Sequence, residues 1–148
     1  MPSFVTFVLP EESERARWSA GERAKSYTVV RDIDVLERTL NSPVLQAAGE
    51  IARVVIDGGT TLDRFLVLVS GLPSAFVGEI LYIGRDGAGY LSTRELQTMR
   101  TVKTLGSSEV EIYLRWHGLP AKPRGSYSPA ELPSKGTTAQ LSAPEKRR

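Results

Sequence analysis

Few residues in this chain have the type and spacing to do chemistry. The loop Gly84-Arg85-Asp86-Gly87-Ala88-Gly89 leads from a strand-like segment into Ser92-x-x-Glu95, which has the form of a helix-capping box. Glycines let backbone N–H groups point inward, and a helix N-terminus favours anions. Arg85 and Arg94 add charge, Gly87 and Gly89 backbone donors, and Ser92 and Thr93 hydroxyls. The expectation is an anion site over 84–94, for a phosphate or a nucleic-acid backbone. Neither GxxxxGKS/T nor GxGxxG is present, so an ordinary Gly-rich connection stands beside that reading.

Glu109 and Glu111 fall on one face if 109–116 is a strand, about 7 Å apart, with Glu79 as a third carboxylate. A solvated sheet face explains them better than acid–base work, because no nucleophile–base pair accompanies them. His117, the single histidine, has no orienting carboxylate that the sequence names, so it reads as a surface residue at a strand end. The chain has no cysteine, which removes disulfides, thiolate zinc sites, iron–sulfur clusters and cysteine nucleophiles. The expectation is no catalytic residue, no metal site and no cofactor.

The basic residues are unevenly placed. Five of the nine prolines lie between Gly118 and the end, among Ser, Gly, Thr and Ala without apolar period. Such a stretch cannot offset its ordering entropy, so 120–148 reads as a disordered tail. Lys122, Arg124, Lys135, Lys146, Arg147 and Arg148 against Glu131 and Glu145 leave it at +4. Residues 1–121 hold 13 basic and 15 acidic side chains, so a formal net charge of +2 hides an acidic body and a basic tail. Lys122, Arg124 and Lys146–Arg148 are the candidate contacts to a phosphate backbone; an anionic membrane surface or an acidic protein would suit the same charges.

The elements that must position these groups read as one domain over 1–119. Ser3–Leu9 is a strand and 11–24 a polar helix whose large apolar residue is Trp18. Ser26–Arg31 is a short strand. Asp32 or Asp34 starts a helix, Ser42-Pro43 restarts it, and Val44, Ala48, Ile51 and Val55 carry the stripe to Gly58. Arg64–Ser70 is continuously apolar, as a strand buried on both faces would be. Ala75–Gly84 is the next strand and 92–105 a helix. Glu109–Trp116 alternates, with Val110, Ile112, Leu114 and Trp116 on one side. From residue 26 to 117 the order is β-α-β-β-α-β. The expected fold is α+β: a ferredoxin-like antiparallel sheet with two helices on one face, preceded by a strand–helix extension.

That architecture leaves one sheet face open. Glu79 is expected to face water, which puts Val77, Leu81 and Ile83 on its side, joined by Tyr113. So large an apolar patch needs cover: the N-terminal strand and helix, a second copy of the chain, or a ligand. Trp18 either anchors its helix to the body or serves a partner as an aromatic hot spot. No basic start precedes the apolar Ser3–Leu9 and no run reaches a membrane span's length. The expected setting is the cytoplasm, or a host cell or virion for a viral or phage protein, without secretion. The expected function is non-enzymatic: a binding or assembly protein that self-associates and contacts nucleic acid or another polyanion. The rival is a small enzyme or ligand sensor gripping an anion at 84–94.

Overall fold

A computed structural model of the 148-residue chain describes residues 4–20, 24–47, 50–85, 87–93 and 102–122. They form helices and a mixed six-stranded sheet, so the α+β character holds. The strands are β1 (Phe4–Pro10), β2 (Thr28–Val29), β3 (Ile51–Asp57), β4 (Gly78–Gly84), β5 (Gly87–Ser92) and β6 (Lys103–Leu105). The helices are α1 (Arg15–Ser19), α2 (Ile33–Leu40), α3 (Pro43–Ala47), α4 (Leu62–Ser70) and α5 (Ser107–Trp116).

The ferredoxin-like arrangement is not what the chain adopts. The strand order is β2-β1-β3-β4-β5-β6. β1 to β4 pair in parallel, and β5 and β6 add as an antiparallel meander. Far from being an extension, β1 lies inside the sheet, between β2 and β3. The connection from β1 to β2 runs one way, and those from β2 to β3 and β3 to β4 run back. Helices therefore cover both faces, as parallel strands require. On one face α2 and α4 supply Leu36, Leu40, Phe65, Leu68 and Val69 against Phe7, Leu9, Val54, Ile56, Ile80 and Tyr82. On the other, Trp18, Val110 and Leu114 pack on Val8, Val55, Leu81 and Ile83.

Three segments take the opposite structure from the expected one. Residues 51–57 continue an apolar helical stripe, yet form β3 at the centre of the sheet, where Val54, Val55 and Ile56 are buried on both sides. Residues 64–70 form α4. The Thr61 hydroxyl accepts from Arg64 N at 3.2 Å as N-cap, and Phe65, Leu68 and Val69 face the core at helical spacing. Residues 109–116 form α5, because Val110 and Leu114 are one turn apart as well as on one strand face. The turn Gly106–Glu109 closes through Gly106 N donating to Glu109 Oε1 at 2.7 Å.

Of the expected helix over 92–105, Ser92 ends β5, 103–105 is β6, and Arg94 and Glu95 lie outside the described residues. Other local signals match. Asp32 caps α2 through Val35 N at 2.9 Å, and Pro43 opens α3 behind Ser42, whose hydroxyl accepts from Val44 N at 3.2 Å.

Candidate functional site

α5 is the element on which the polar chemistry of this protein converges. The sheet register sets Arg53 of β3 beside Glu79 of β4, and Glu79 beside Ser92 of β5. Side chains alternate along a strand, so Glu79 shares its face with Leu81 and Ile83, the face beneath α5. The expectation that Glu79 faces water is overturned: it is 1% exposed.

Its carboxylate is satisfied from three elements. Arg53 Nε donates to Oε2 at 3.2 Å, Tyr90 OH to Oε1 at 3.1 Å, and Tyr113 OH to Oε2 at 2.6 Å. His117 Nε2 stands 4.0 Å from Oε2, an ion pair when the ring is protonated. The Tyr113 ring lies between those of Tyr90, at 5.9 Å, and His117, at 4.5 Å. Under the Arg53 guanidinium, 4.0 Å away, is the ring of Phe4. A buried carboxylate is costly unless paired and hydrogen-bonded, and this one is both. Burial, and next the charge of Glu79, hold the Tyr113 phenol far above its ordinary range, so it stays a donor at any physiological pH. The arrangement pins α5 to the sheet: Tyr113 and His117 are anchored to β4 while Val110 and Leu114 fill the core beside them.

The opposite face of α5 is exposed. Trp116 is 82% exposed and Ile112, one turn earlier, 64% exposed. Ser108, Glu109 and Arg115 are exposed around them. At about 100° per residue these five side chains span about 120° of the helix, centred on Ile112 and opposite the buried face. The strand reading had turned Ile112 and Trp116 inward.

A second buried carboxylate fastens the N-terminal segment to the same side of the sheet. Asp57 Oδ2, at the end of β3, accepts from Arg17 Nη2 at 2.6 Å and from Trp18 Nε1 at 2.8 Å. Arg17 also reaches Glu14 Oε1 at 2.8 Å and the carbonyl of Pro120 at 3.0 Å. Lys122 Nζ meets Glu14 Oε2 at 3.5 Å. The chain thus leaves α5 and is strapped against α1 before residue 123.

The residues singled out from sequence fall as follows. Trp18, Leu81 and Ile83 are buried within the chain's own core, so they are not a free interface. Val77 is half-buried, and Tyr113 points at Glu79. The cover over this face is α1 together with α5. Arg85 is exposed at the β4–β5 hairpin, whereas Gly87, Gly89 and Ser92 belong to β5. The anion-site reading of 84–94 rested on a strand running into a helix, and the hairpin replaces that geometry. Thr93 is occupied internally, its Oγ1 accepting from Gly78 N at 3.0 Å. Arg124, Lys146, Arg147 and Arg148, like Arg94, lie outside the described residues, as does the tail from 123 onward.

Sequence reasoning missed Arg53, Tyr90 and His117 as partners of Glu79. The available signal was Glu79 itself, a lone charge in the apolar run Ala75–Gly84. Among the described residues no group of three or more His, Asp or Glu side chains is placed to hold a metal ion, and no helix is long and apolar enough to cross a membrane. No protein-family model, no curated protein and no solved structure matches this chain.

Proposed function

We propose that this chain is a binding and assembly protein rather than an enzyme, and that α5 is its contact face. The observation that carries this reading is Trp116 at 82% exposure beside Ile112 at 64%, on a helix whose other side is locked to the sheet. Tryptophan is the residue type most enriched among the hot spots of protein interfaces, and a rigid anchor loses little entropy on binding. The Glu79 carboxylate, by contrast, is 1% exposed beneath α5, which leaves it no open surface on which to meet a substrate.

The basic segment from Lys122 onward supplies the second contact, to nucleic acid or another polyanion. It carries six basic residues against two acidic ones. Lys122 is engaged by Glu14, which leaves five for phosphates and a log–log salt slope of magnitude about 4.5 on duplex DNA.

The test is the mass in solution, by light scattering, of the full chain and of Trp116→Ala, with and without single-stranded RNA, at about 50 and about 200 mM salt. The reading expects assemblies larger than a monomer in at least one condition, lost on Trp116→Ala, and RNA binding that weakens steeply with salt. A full chain that is monomeric in every condition, or assemblies indifferent to Trp116, would overturn it.

A further inference from the structure

The last turn of α5 ends on the chain's single histidine, and that side chain faces the Glu79 carboxylate buried beneath the helix. Resting on the reading of α5 as the contact face, we propose that His117 is a pH-sensitive latch: as imidazolium it pairs with Glu79 and holds the last turn of α5, Trp116 included, on the sheet, and as neutral imidazole it lets that turn go.

The helix end is built for such a hold. Gly118, at φ 71°, takes the left-handed conformation. Its N–H donates to the Arg115 carbonyl at 3.1 Å, and Leu119 N donates to the Leu114 carbonyl at 2.8 Å. This turn returns Leu119 to the core that also holds Leu114 and brings the Pro120 carbonyl to Arg17 Nη1 at 3.0 Å. His117 is the C-cap, its backbone N donating to the Tyr113 carbonyl at 3.2 Å. Its ring lies 4.5 Å from that of Tyr113, and its Nε2 is 4.0 Å from Glu79 Oε2. That separation is too long for a hydrogen bond. A neutral imidazole therefore gains little from Glu79, whereas an imidazolium gains a charge–charge attraction.

The surrounding groups decide which form the fold favours. The partners Arg53, Tyr90 and Tyr113 all donate to Glu79, as suits an ionised carboxylate. The Glu79 charge, the carbonyl end of α5 and the Tyr113 ring each favour the imidazolium. Arg53, which shares Oε2, opposes it, as does burial of a side chain that keeps 21% of its surface. The Tyr113 phenol stays neutral and adds no charge. Glu111 and Arg115 lie about 120° and about 160° round α5 from the ring, and Lys122 is turned to Glu14 at 3.5 Å. Glu79 is within ion-pair reach, so attraction wins and His117 titrates above the ordinary histidine value of about 6.5. The stabilisation is then complete below about pH 6.5 and is lost as pH rises through the folded-state midpoint. With one histidine and no cysteine in the chain, His117 is the side chain whose ordinary pKa falls in this range. Lysine and arginine keep their charge there, so polyanion binding by the tail stays constant while the grip on α5 changes.

The experiment takes three readings on the full chain between about pH 5.5 and about pH 8.5, either side of the ordinary histidine value. Proton NMR of the single imidazole gives its midpoint. Urea unfolding of wild type and His117→Gln gives the linked stability, the variant cancelling contributions from other groups. Light scattering with single-stranded RNA gives the assembly. The expected midpoint lies above about 6.5. Toward the alkaline end wild type should lose more stability than His117→Gln, by about tenfold in the unfolding constant for each unit by which the midpoint is raised. Assemblies of wild type should persist at several-fold lower protein concentration at the acid end, and those of His117→Gln should not show that difference.

A midpoint at or below about 6.5, or a urea response that His117→Gln shares, overturns the latch. A latch that titrates as expected while Trp116-dependent assembly ignores pH overturns its control of the contact face. Trp116→Ala judges the reading of α5 separately. Assemblies that survive this substitution, or a chain monomeric at both ends of the range, overturn that reading and with it the control of assembly, while the imidazole midpoint and the urea data still decide whether His117 holds the end of α5.

Discussion

Replacing Glu79 with leucine removes the acceptor that three donors share. Arg53 Nε at 3.2 Å, Tyr90 OH at 3.1 Å and Tyr113 OH at 2.6 Å lose it together. Breaking a buried ion pair from one side costs about 3–5 kcal/mol. The Arg53 side chain keeps 13% of its surface in solvent, so the lower end applies, about 3 kcal/mol. Each orphaned hydroxyl adds about 1 kcal/mol, for a total near 5 kcal/mol out of a typical 5–15. Tyr113→Phe alone forfeits one hydrogen bond to a charged group, about 2 kcal/mol, or about 4–8 °C in Tm for a chain of this size. With Glu79→Leu already present, Tyr113→Phe should cost nothing or recover part of the loss, because the hydroxyl no longer has an acceptor. The assay is urea unfolding by far-UV circular dichroism on wild type, both single variants and the double variant, expecting a coupling energy near 2 kcal/mol. Additive costs, or Glu79→Leu within about 1 kcal/mol of wild type, would refute the idea that this carboxylate holds α5 in place.

Other outcomes follow from the same contacts. Burial and the Glu79 charge raise the Tyr113 pKa in the folded state, so the folded protein holds that proton more tightly than the unfolded chain. The stabilisation is complete below the ordinary tyrosine pKa of about 10 and declines as pH rises past it; alkaline denaturation should be shallower in Tyr113→Phe. The hydrogen bond from Arg17, with help from Lys122, lowers the Glu14 pKa, so the strap between α1 and residues 120–122 should loosen as pH falls below the ordinary carboxylate value, read as faster proteolysis within 11–20. Asp57→Ala leaves the buried Trp18 indole N–H without its acceptor and should cost about 3 kcal/mol or more while freeing the same segment to protease. A chain ending at Lys122 retains every described contact and should unfold within about 0.5 kcal/mol of the full length; a larger loss would show that residues 123–148 pack on the body.

Much of the local grammar was legible, and the topology was not. Asp32 and Ser42-Pro43 do what their side chains suggest. The failures share one cause: the apolar pattern fits both periods. Val110, Ile112, Leu114 and Trp116 are spaced by two and, taken in pairs, by four, so one string satisfies a strand face and a helix stripe. What decides is tertiary: Val110 and Leu114 meet Val55 and Leu81, and Tyr113 meets Glu79. Arg64–Ser70 likewise reads as a buried strand until Thr61 is recognised as an N-cap. Residues 51–57 read as helix because Ile51 and Val55 are four apart, although Ile51-Ala-Arg-Val-Val-Ile carries the β-branched density of a strand. The Glu79 site was hidden for a different reason. A lone glutamate in an apolar run is expected at the surface unless its partners are known, and Arg53, Tyr90, Tyr113 and His117 come from three other elements that only the sheet register and α5 bring together.

The central claim, that α5 is pinned on one side and presents Trp116 on the other for assembly, is tested most directly by fluorine NMR of the full chain labelled with 5-fluorotryptophan. The chain has two tryptophans, and a Trp116→Phe sample assigns their resonances. The account expects the Trp18 signal to show little H2O/D2O isotope shift at any concentration, since that side chain is buried. The Trp116 signal should show a full solvent isotope shift in dilute solution and lose it as concentration rises or when RNA is added. A Trp116 signal already shielded from solvent in the dilute monomer, or one that remains fully solvated under every condition of assembly, would contradict the account.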